Sequence, residues 1–232
     1  MKAKIFSYRH LIGTTDLIVG DKNMGCVFGK FLPTNEYYKN IQKKVWEFWH
    51  TNKPDYEKWH SLRINVQLEN GLFLFPDGGY TINDVKELPY EPKRIDIAGI
   101  DSRVVEDFLL TQSTGPFVDK PWSDLKIEQK IAFEDELKKE IGSRDKLFFN
   151  LFTNKTKHIL SDIEFSAFCH DQRNDDVLFA IRKVGFEKRF ALVHLTWTSK
   201  TERVGYPITR FYSDFEEFKS LRMYVDKVDY ES

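Results

Sequence analysis

The residue types that usually announce a chemistry are scarce in this chain. Cysteine is nearly absent: Cys26 and Cys169 stand alone among 232 residues. Two thiols exclude a disulfide scaffold and any four-cysteine zinc site. An excess of charge of one sign is missing as well. There are 35 Lys plus Arg against 36 Asp plus Glu, a formal charge of -1, so no strong field favours DNA, RNA or an anionic membrane. Long apolar runs are lacking too. No stretch approaches the roughly 20 residues that a membrane-crossing helix needs. At the N-terminus, Lys4, Tyr8, Arg9 and His10 interrupt MKAKIFSYRHLIGTTD, which therefore lacks the apolar core of a signal peptide. These absences together lead to the expectation of a cytoplasmic protein with reduced cysteines and no nucleic-acid or membrane partner.

Catalytic motifs are equally thin. No H-E-x-x-H and no Gly-Lys-Ser/Thr occurs. Asp21-Lys22-Asn23-Met24-Gly25, continuing to Gly29, is followed by β-like residues, whereas a phosphate loop opens a helix. It reads as a turn and a strand with close backbone contacts. No catalytic residue, metal or cofactor is assigned.

What the chain does have is apolar bulk. Hydrophobic residues make up 41% and aromatic ones 15%, with 20 Phe, 10 Tyr and 5 Trp, enough for a real core. Charge divides the chain into three. Residues 1–100 carry 14 basic and 12 acidic side chains, 101–142 carry 6 and 10, and 143–232 carry 15 and 14. The expected organisation is an N-terminal α+β unit (1–100), a connecting loop and helix (101–142) and a C-terminal α+β unit (143–232).

The first segment reads as strands at Lys4–Ile12, Asp16–Val19, Met24–Leu32, Leu62–Glu69, Leu72–Phe75 and Arg94–Ala98. Leu62, Ile64, Val66 and Leu68 alternate with polar residues, the period of a half-buried strand. Asn70-Gly71 then predicts a tight turn. A helix is expected from Thr34 to about Trp49, with Tyr38, Ile41, Val45 and Trp49 as its buried stripe. In the middle segment, Pro121 and Gly142 bracket a helix from about Ser123 to Ile141, with Phe133, Leu137 and Ile141 on its apolar face. Glu134, Asp135, Glu136 and Glu140 read as a solvated face. The last segment reads as a meander, with strands at Phe148–Phe152, Ile159–His170, Asp176–Lys183, Phe190–Trp197 and Thr209–Tyr212, then a helix from about Asp214 to Met223. Strand runs followed by helices, without regular βαβ alternation, predict an α+β fold. Its two β-rich units have mainly antiparallel sheets, each with a packed helix, joined by the amphipathic helix.

The densest reactive cluster is Cys169-His170-Asp171 with Arg173, Asp175 and Asp176. Neighbours on a strand face opposite ways, so Cys169 and His170 do not pair locally, and the acids fall in a turn-like run. The reading is a solvated hairpin, with a partner-binding loop as its functional alternative: Asp171, Arg173, Asp175, Asp176, Glu134 and Glu136 are the candidate contacts. His194, on the strand face of Phe190 and Leu192, reads as a buried or half-buried histidine with a hydrogen-bond partner. The competing reading is a ligand-binding or enzymatic pocket using His194, His170 and Cys169.

Two stretches resemble known patterns. Asp175-Asp-Val-Leu-Phe179, Val193-His-Leu-Thr-Trp197, Pro207-x-Thr209 and Phe211-Tyr212 resemble a pattern that recurs in small uncharacterised bacterial proteins. Val19-Gly-Asp with Met24-Gly25, Gly29 and Phe31-x-Pro33 resembles another. In style the chain is similar to the immunity proteins of bacterial toxin systems. That resemblance implies a non-catalytic protein whose partner is another protein, such as a toxin, and it transfers no functional residue.

Overall fold

The computed structural model describes residues 1–51, 53–142, 158–203 and 205–232. The chain is α+β and divides into two compact units, Met1–Gly115 and Pro116–Ser232. The division falls in the expected Gln112–Pro116 loop, so the helix anticipated as a connector belongs to the second unit. The strand expected at Phe148–Phe152 lies outside the described residues.

The first unit contains strands β1 (Lys2–Ser7), β2 (His10–Asp16), β3 (Ile18–Asp21), β4 (Cys26–Lys30), β5 (Leu32–Pro33), β6 (Ile64–Leu68), β7 (Gly79–Asn83) and β8 (Arg94–Ala98). They form two antiparallel sheets, ordered β5-β2-β1-β6 and β3-β4-β8-β7. The single strand expected over Lys4–Ile12 is a hairpin, with Ser7 opposite His10. No Gly or Asn marks its turn. Tyr8 itself takes a left-handed φ of 53°. Its N–H bonds the Arg63 carbonyl at 3.1 Å, and the Arg9 and Arg63 guanidinium groups lie over its ring. Gly25, at φ 59°, is irreplaceable for a steric reason: an added Cβ would sit 2.0 Å from the Ile100 carbonyl oxygen.

The first helix departs from its expected stripe. It opens with a π turn, Tyr37–Ile41, before α1 (Gln42–Trp49) and the short α2 (Tyr56–Ser61). A π turn carries one extra residue and rotates everything on its N-terminal side. Tyr37 is therefore the buried tyrosine (0% exposed) and Tyr38 faces outward (51%). Tyr37, Ile41 and Val45 form the buried row, while Trp49 reaches sideways. Its indole N–H bonds the Ile82 carbonyl at 2.8 Å, and Trp59 does the same to Tyr80 at 3.0 Å. Both carbonyls belong to β7, an edge strand, two of whose open carbonyls are thus satisfied. Beneath this helix, Asp84 is buried and accepts hydrogen bonds from the Tyr37 hydroxyl at 2.7 Å and from Gln42 at 2.9 Å, with Lys93 at 3.2 Å. A short helix α3 (Ser102–Val104), continued by a π turn over Val105–Leu110, completes the unit.

The second unit is the expected meander. Strands β9 (Trp122–Ser123), β10 (Glu164–Asp171), β11 (Asp176–Arg182), β12 (Phe190–His194) and β13 (Thr209–Tyr212) form one antiparallel sheet in the order β13-β12-β11-β10-β9. Helix α4 (Ile127–Ile141) lies against β10. It starts later than expected because Trp122 and Ser123 pair with Asp171 and His170 instead. The C-terminal helix is longer than expected. It runs through α5 (Phe215–Phe218), a π turn (Lys219–Met223) and α6 (Tyr224–Glu231). Phe218 docks it onto the sheet, edge-on to Trp122 at 4.9 Å and to Tyr212 at 5.3 Å. A bulge between Ala167 and Cys169 inserts Phe168 among Phe117, Phe190 and Phe215. Such edge-to-face pairs add about 0.5–1.5 kcal/mol each beyond their buried area.

Candidate functional site

The β10–β11 hairpin is held by its own side chains. Asp171 ends β10 and is fully buried. Its carboxylate accepts from the Arg173 backbone N–H at 2.9 Å, which fixes the turn, and from the Arg173 guanidinium at 2.7–3.3 Å. Asn174 then accepts from the Asp176 N–H at 2.8 Å. From Arg173 a chain of alternating charge runs to the C-terminal helix and back to the sheet. Arg173 Nη2 lies 3.0 Å from Asp226, which takes the Arg222 Nε–H at 2.7 Å. Arg222 Nη2 donates to Asp176 at 3.0 Å, and the other oxygen of Asp176 is 2.8 Å from His194 Nδ1. A carboxylate only accepts, so His194 Nδ1 is the donor. The Trp122 indole supplies a further donor to Asp226 at 2.9 Å.

Arg222 and Asp226 stand four apart on one helix, the spacing at which side chains meet. Register places Asp176 opposite His194, so both emerge from the same face of the sheet. Burial alone would raise the Asp171 pKa, but the hydrogen bonds and charge of Arg173, with the charge of Arg222, hold it below the ordinary carboxylate range. The Arg173 guanidinium is raised in turn, by its bonds to Asp171 first and then to Asp226.

The second feature is a loop clamped by α4. Three glutamates of this helix are buried. Glu134 pairs with the buried Lys130 and takes the Ala167 N–H at 3.1 Å, on the open edge of β10. Lys130 also donates to the Ser166 hydroxyl at 2.6 Å. One oxygen of Glu140 accepts the N–H groups of Thr196 and Trp197, both at 2.8 Å. Glu136 accepts the Ser199 N–H at 2.7 Å. Glu202 accepts the hydroxyls of Thr196 and Thr198 at 2.8 and 2.6 Å. Burial drives the Glu140 pKa up, the two backbone N–H groups pull it down, and the neighbouring Glu136 adds to the rise. Within this frame Trp197 and Ser199 adopt left-handed φ angles of 56° and 57°, a conformation that costs a non-glycine residue roughly 1–2 kcal/mol.

The clamp presents Trp197. Its side chain is 44% exposed. The ring lies 5.9 Å from Phe133, which lies 5.4 Å from His170, and its indole N–H bonds Asp175 at 2.9 Å. Helix and hairpin thus each hold one side of an exposed tryptophan.

The structure brings together Asp171, Arg173, Asp176 and His194 in the charge chain and puts Asp175 beside Trp197. Other expectations are corrected. Glu134 and Glu136 are interior residues because their carboxylates replace missing partners of backbone N–H groups; they present no solvated acidic face. His194 is not a core histidine. Its side chain is 51% exposed, because it ends β12 at the margin of the C-terminal helix. His170 is half-buried, with burial lowering its pKa. Cys169 has no exposed surface, and burial pushes its thiol well above the ordinary value; a thiol so placed is no nucleophile. Among the described residues no group of three or more His, Cys, Asp or Glu is placed to hold a metal ion, and no helix is long and apolar enough to cross a membrane. Reading by residue type missed Trp197, Arg222 and Asp226. The spacing of Arg222 and Asp226 was a usable signal; the exposure of Trp197 had none, since it follows an unbroken β-like run.

Comparison with protein-family models, curated proteins and solved structures finds no match.

Proposed function

We propose that this chain is a non-catalytic protein-binding protein whose contact surface centres on Trp197, with Asp175 and His170 beside it. The observation that supports this reading is the preorganisation of Trp197. An exposed tryptophan held by a tilted phenylalanine ring, a carboxylate and a clamped backbone loses little freedom on binding, and tryptophan is among the residues that dominate the energy of protein interfaces. The nearby ionisable groups are spent on one another in the charge chain, which favours a rigid platform over a reacting centre. Neutralising a bacterial toxin by occlusion, as immunity proteins do, is the form of binding we propose. The partner would cover above about 1,000 Å² of total surface.

The test is affinity capture from the native host with the wild-type chain and with Trp197→Ala. A partner recovered in stoichiometric amount with wild type and reduced at least roughly tenfold with the variant supports the reading. No stoichiometric partner, or equal recovery with both, refutes it. If a secreted toxin is encoded beside this chain, co-expression tests the immunity form directly: survival with wild type and toxicity with Trp197→Ala are expected.

A second reading, a small-ligand or enzymatic site at His194, is favoured by one observation. Asp176 engages Nδ1 and so orients a half-exposed imidazole ring, the arrangement that prepares a histidine for acid–base or ligand chemistry. Imidazole nitrogen NMR shifts that stay unchanged with phosphate, carboxylate and sugar probes would dismiss it.

A further inference from the structure

The C-terminal helix keeps an apolar row that the fold does not use. Its inner side is spent: Phe218, Met223 and Asp226 are buried, and Arg222 lies in the charge chain. On another side Leu221, Tyr224, Val225 and Val228 are 44–68% exposed. Tyr224, Val225 and Val228 lie on α6 at the three- and four-residue spacing of one helical face, and Leu221 precedes them in the adjoining π turn. Isolated exposed apolar residues need no explanation, but four along two turns form a contiguous patch, and such patches mark interaction sites.

The charges around the stripe say what covers it. Three basic residues lie on this helix, and each already has an acidic partner. Lys219 pairs with Glu216, Arg222 with Asp226 and Asp176, and Lys227 with Asp119 at 3.4 Å. Asp229 and Glu231, beside the far end of the stripe, are exposed and form no ion pair among the described residues. The unbalanced charge at this patch is therefore negative. A second copy packed parallel would bring the same acids together and be repelled; an antiparallel copy would not, and the sedimentation measurement below separates that case.

We propose that the Leu221–Val228 stripe is a docking site for a basic amphipathic helix of another protein. The apolar face of that helix lies on Leu221, Tyr224, Val225 and Val228, and its Lys or Arg residues meet Asp229 and Glu231. This is helix-on-helix recognition by anchors at three- and four-residue spacing, and it uses a surface other than Trp197.

The test uses two synthetic amphipathic helical peptides with the same leucine stripe, one flanked by lysine and the other by glutamate. Each is titrated into the full chain by fluorescence anisotropy. The lysine peptide should bind at least about tenfold more tightly than the glutamate peptide, and more weakly as salt rises. Val225→Ser with Val228→Ser should abolish binding, and Asp229→Asn with Glu231→Gln should weaken it several-fold. All four positions are exposed, and circular dichroism will confirm that both double variants fold. Trp197→Ala should leave peptide binding unchanged, so failure here is separable from failure of the tryptophan surface. Equal binding of the two peptides, or binding that survives the serine variant, overturns the proposal. So does no binding of the lysine peptide, or a wild-type dimer in sedimentation that the serine variant dissolves.

Discussion

Replacing Arg173 with Ala removes one cation from between two acids and leaves both in place. Asp171 has no exposed surface and loses the guanidinium at 2.7 Å; Asp226 loses its contact at 3.0 Å but keeps Arg222. Breaking a buried pair by deleting one partner costs about 3–5 kcal/mol. The Arg173 side chain is one-third exposed, so water enters part of the gap and the lower end, about 3 kcal/mol, is expected at pH 7. For a unit of this size that lowers Tm by roughly 10 °C. The assay is calorimetric and urea unfolding of wild type and variant across pH. The sign follows from Asp171. Its folded pKa lies below the unfolded one, so the wild-type pair stabilises fully above about pH 4 and the benefit is lost as the pH falls through that region. In the variant, Asp171 has burial without a cation, its pKa rises, and protonation relieves the cost. The stability gap between the two proteins should therefore narrow from pH 7 to pH 4. A gap under about 1 kcal/mol at pH 7, or one that does not change with pH, would show that Asp171 and Arg173 are not coupled as described.

Four further outcomes are expected. Val45→Asp, which puts a charge at a position with no exposed surface, should unfold the first unit, and a soluble variant with native near-UV circular dichroism would contradict the helix packing. Tyr37→Phe should cost about 1–3 kcal/mol by denaturant unfolding, because Asp84 loses a buried donor. Burial first, then the bond to Asp84, raises the Tyr37 pKa far above its ordinary value, so the wild type should lose stability as the pH rises above about 10, and an unchanged stability up to pH 11 would be inconsistent with this. Finally, a thiol reagent should label Cys26, which is partly exposed, and spare Cys169 until denaturant is added; rapid labelling of both in the native state would show that the sheet opens.

The antiparallel meander of the second unit was legible because short apolar runs bounded by turn residues mark β11 and β12, and the Thr209–Tyr212 strand has the expected bounds. The hairpin at Tyr8 was hidden because its turn rests on long-range contacts with Arg63 and on no turn-forming residue. The stripe of the first helix was misphased by one residue, since Tyr37 and Tyr38 are equivalent by type and only the π turn decides between them. The buried glutamates of α4 were unreadable in principle: a carboxylate that satisfies backbone N–H groups has the same letter as one that faces water. Arg173 and Asp176 could be picked out with Asp171 as a turn cluster, but their counterions Asp226 and Arg222, 53 and 46 positions away, depend on the folded sheet.

The grip of α4 on the 196–199 loop acts on main-chain groups. Glu140 and Glu136 hold N–H groups that every residue except proline possesses. The shape of the loop is thus encoded elsewhere, on a helix some sixty positions earlier, and the side chains it displays are released from the work of shaping it. Exchange of Trp197 for another large side chain alters what is shown while the display itself stays fixed. What is displayed at position 197 can in this way change without redesigning the scaffold, as long as the two glutamates are kept.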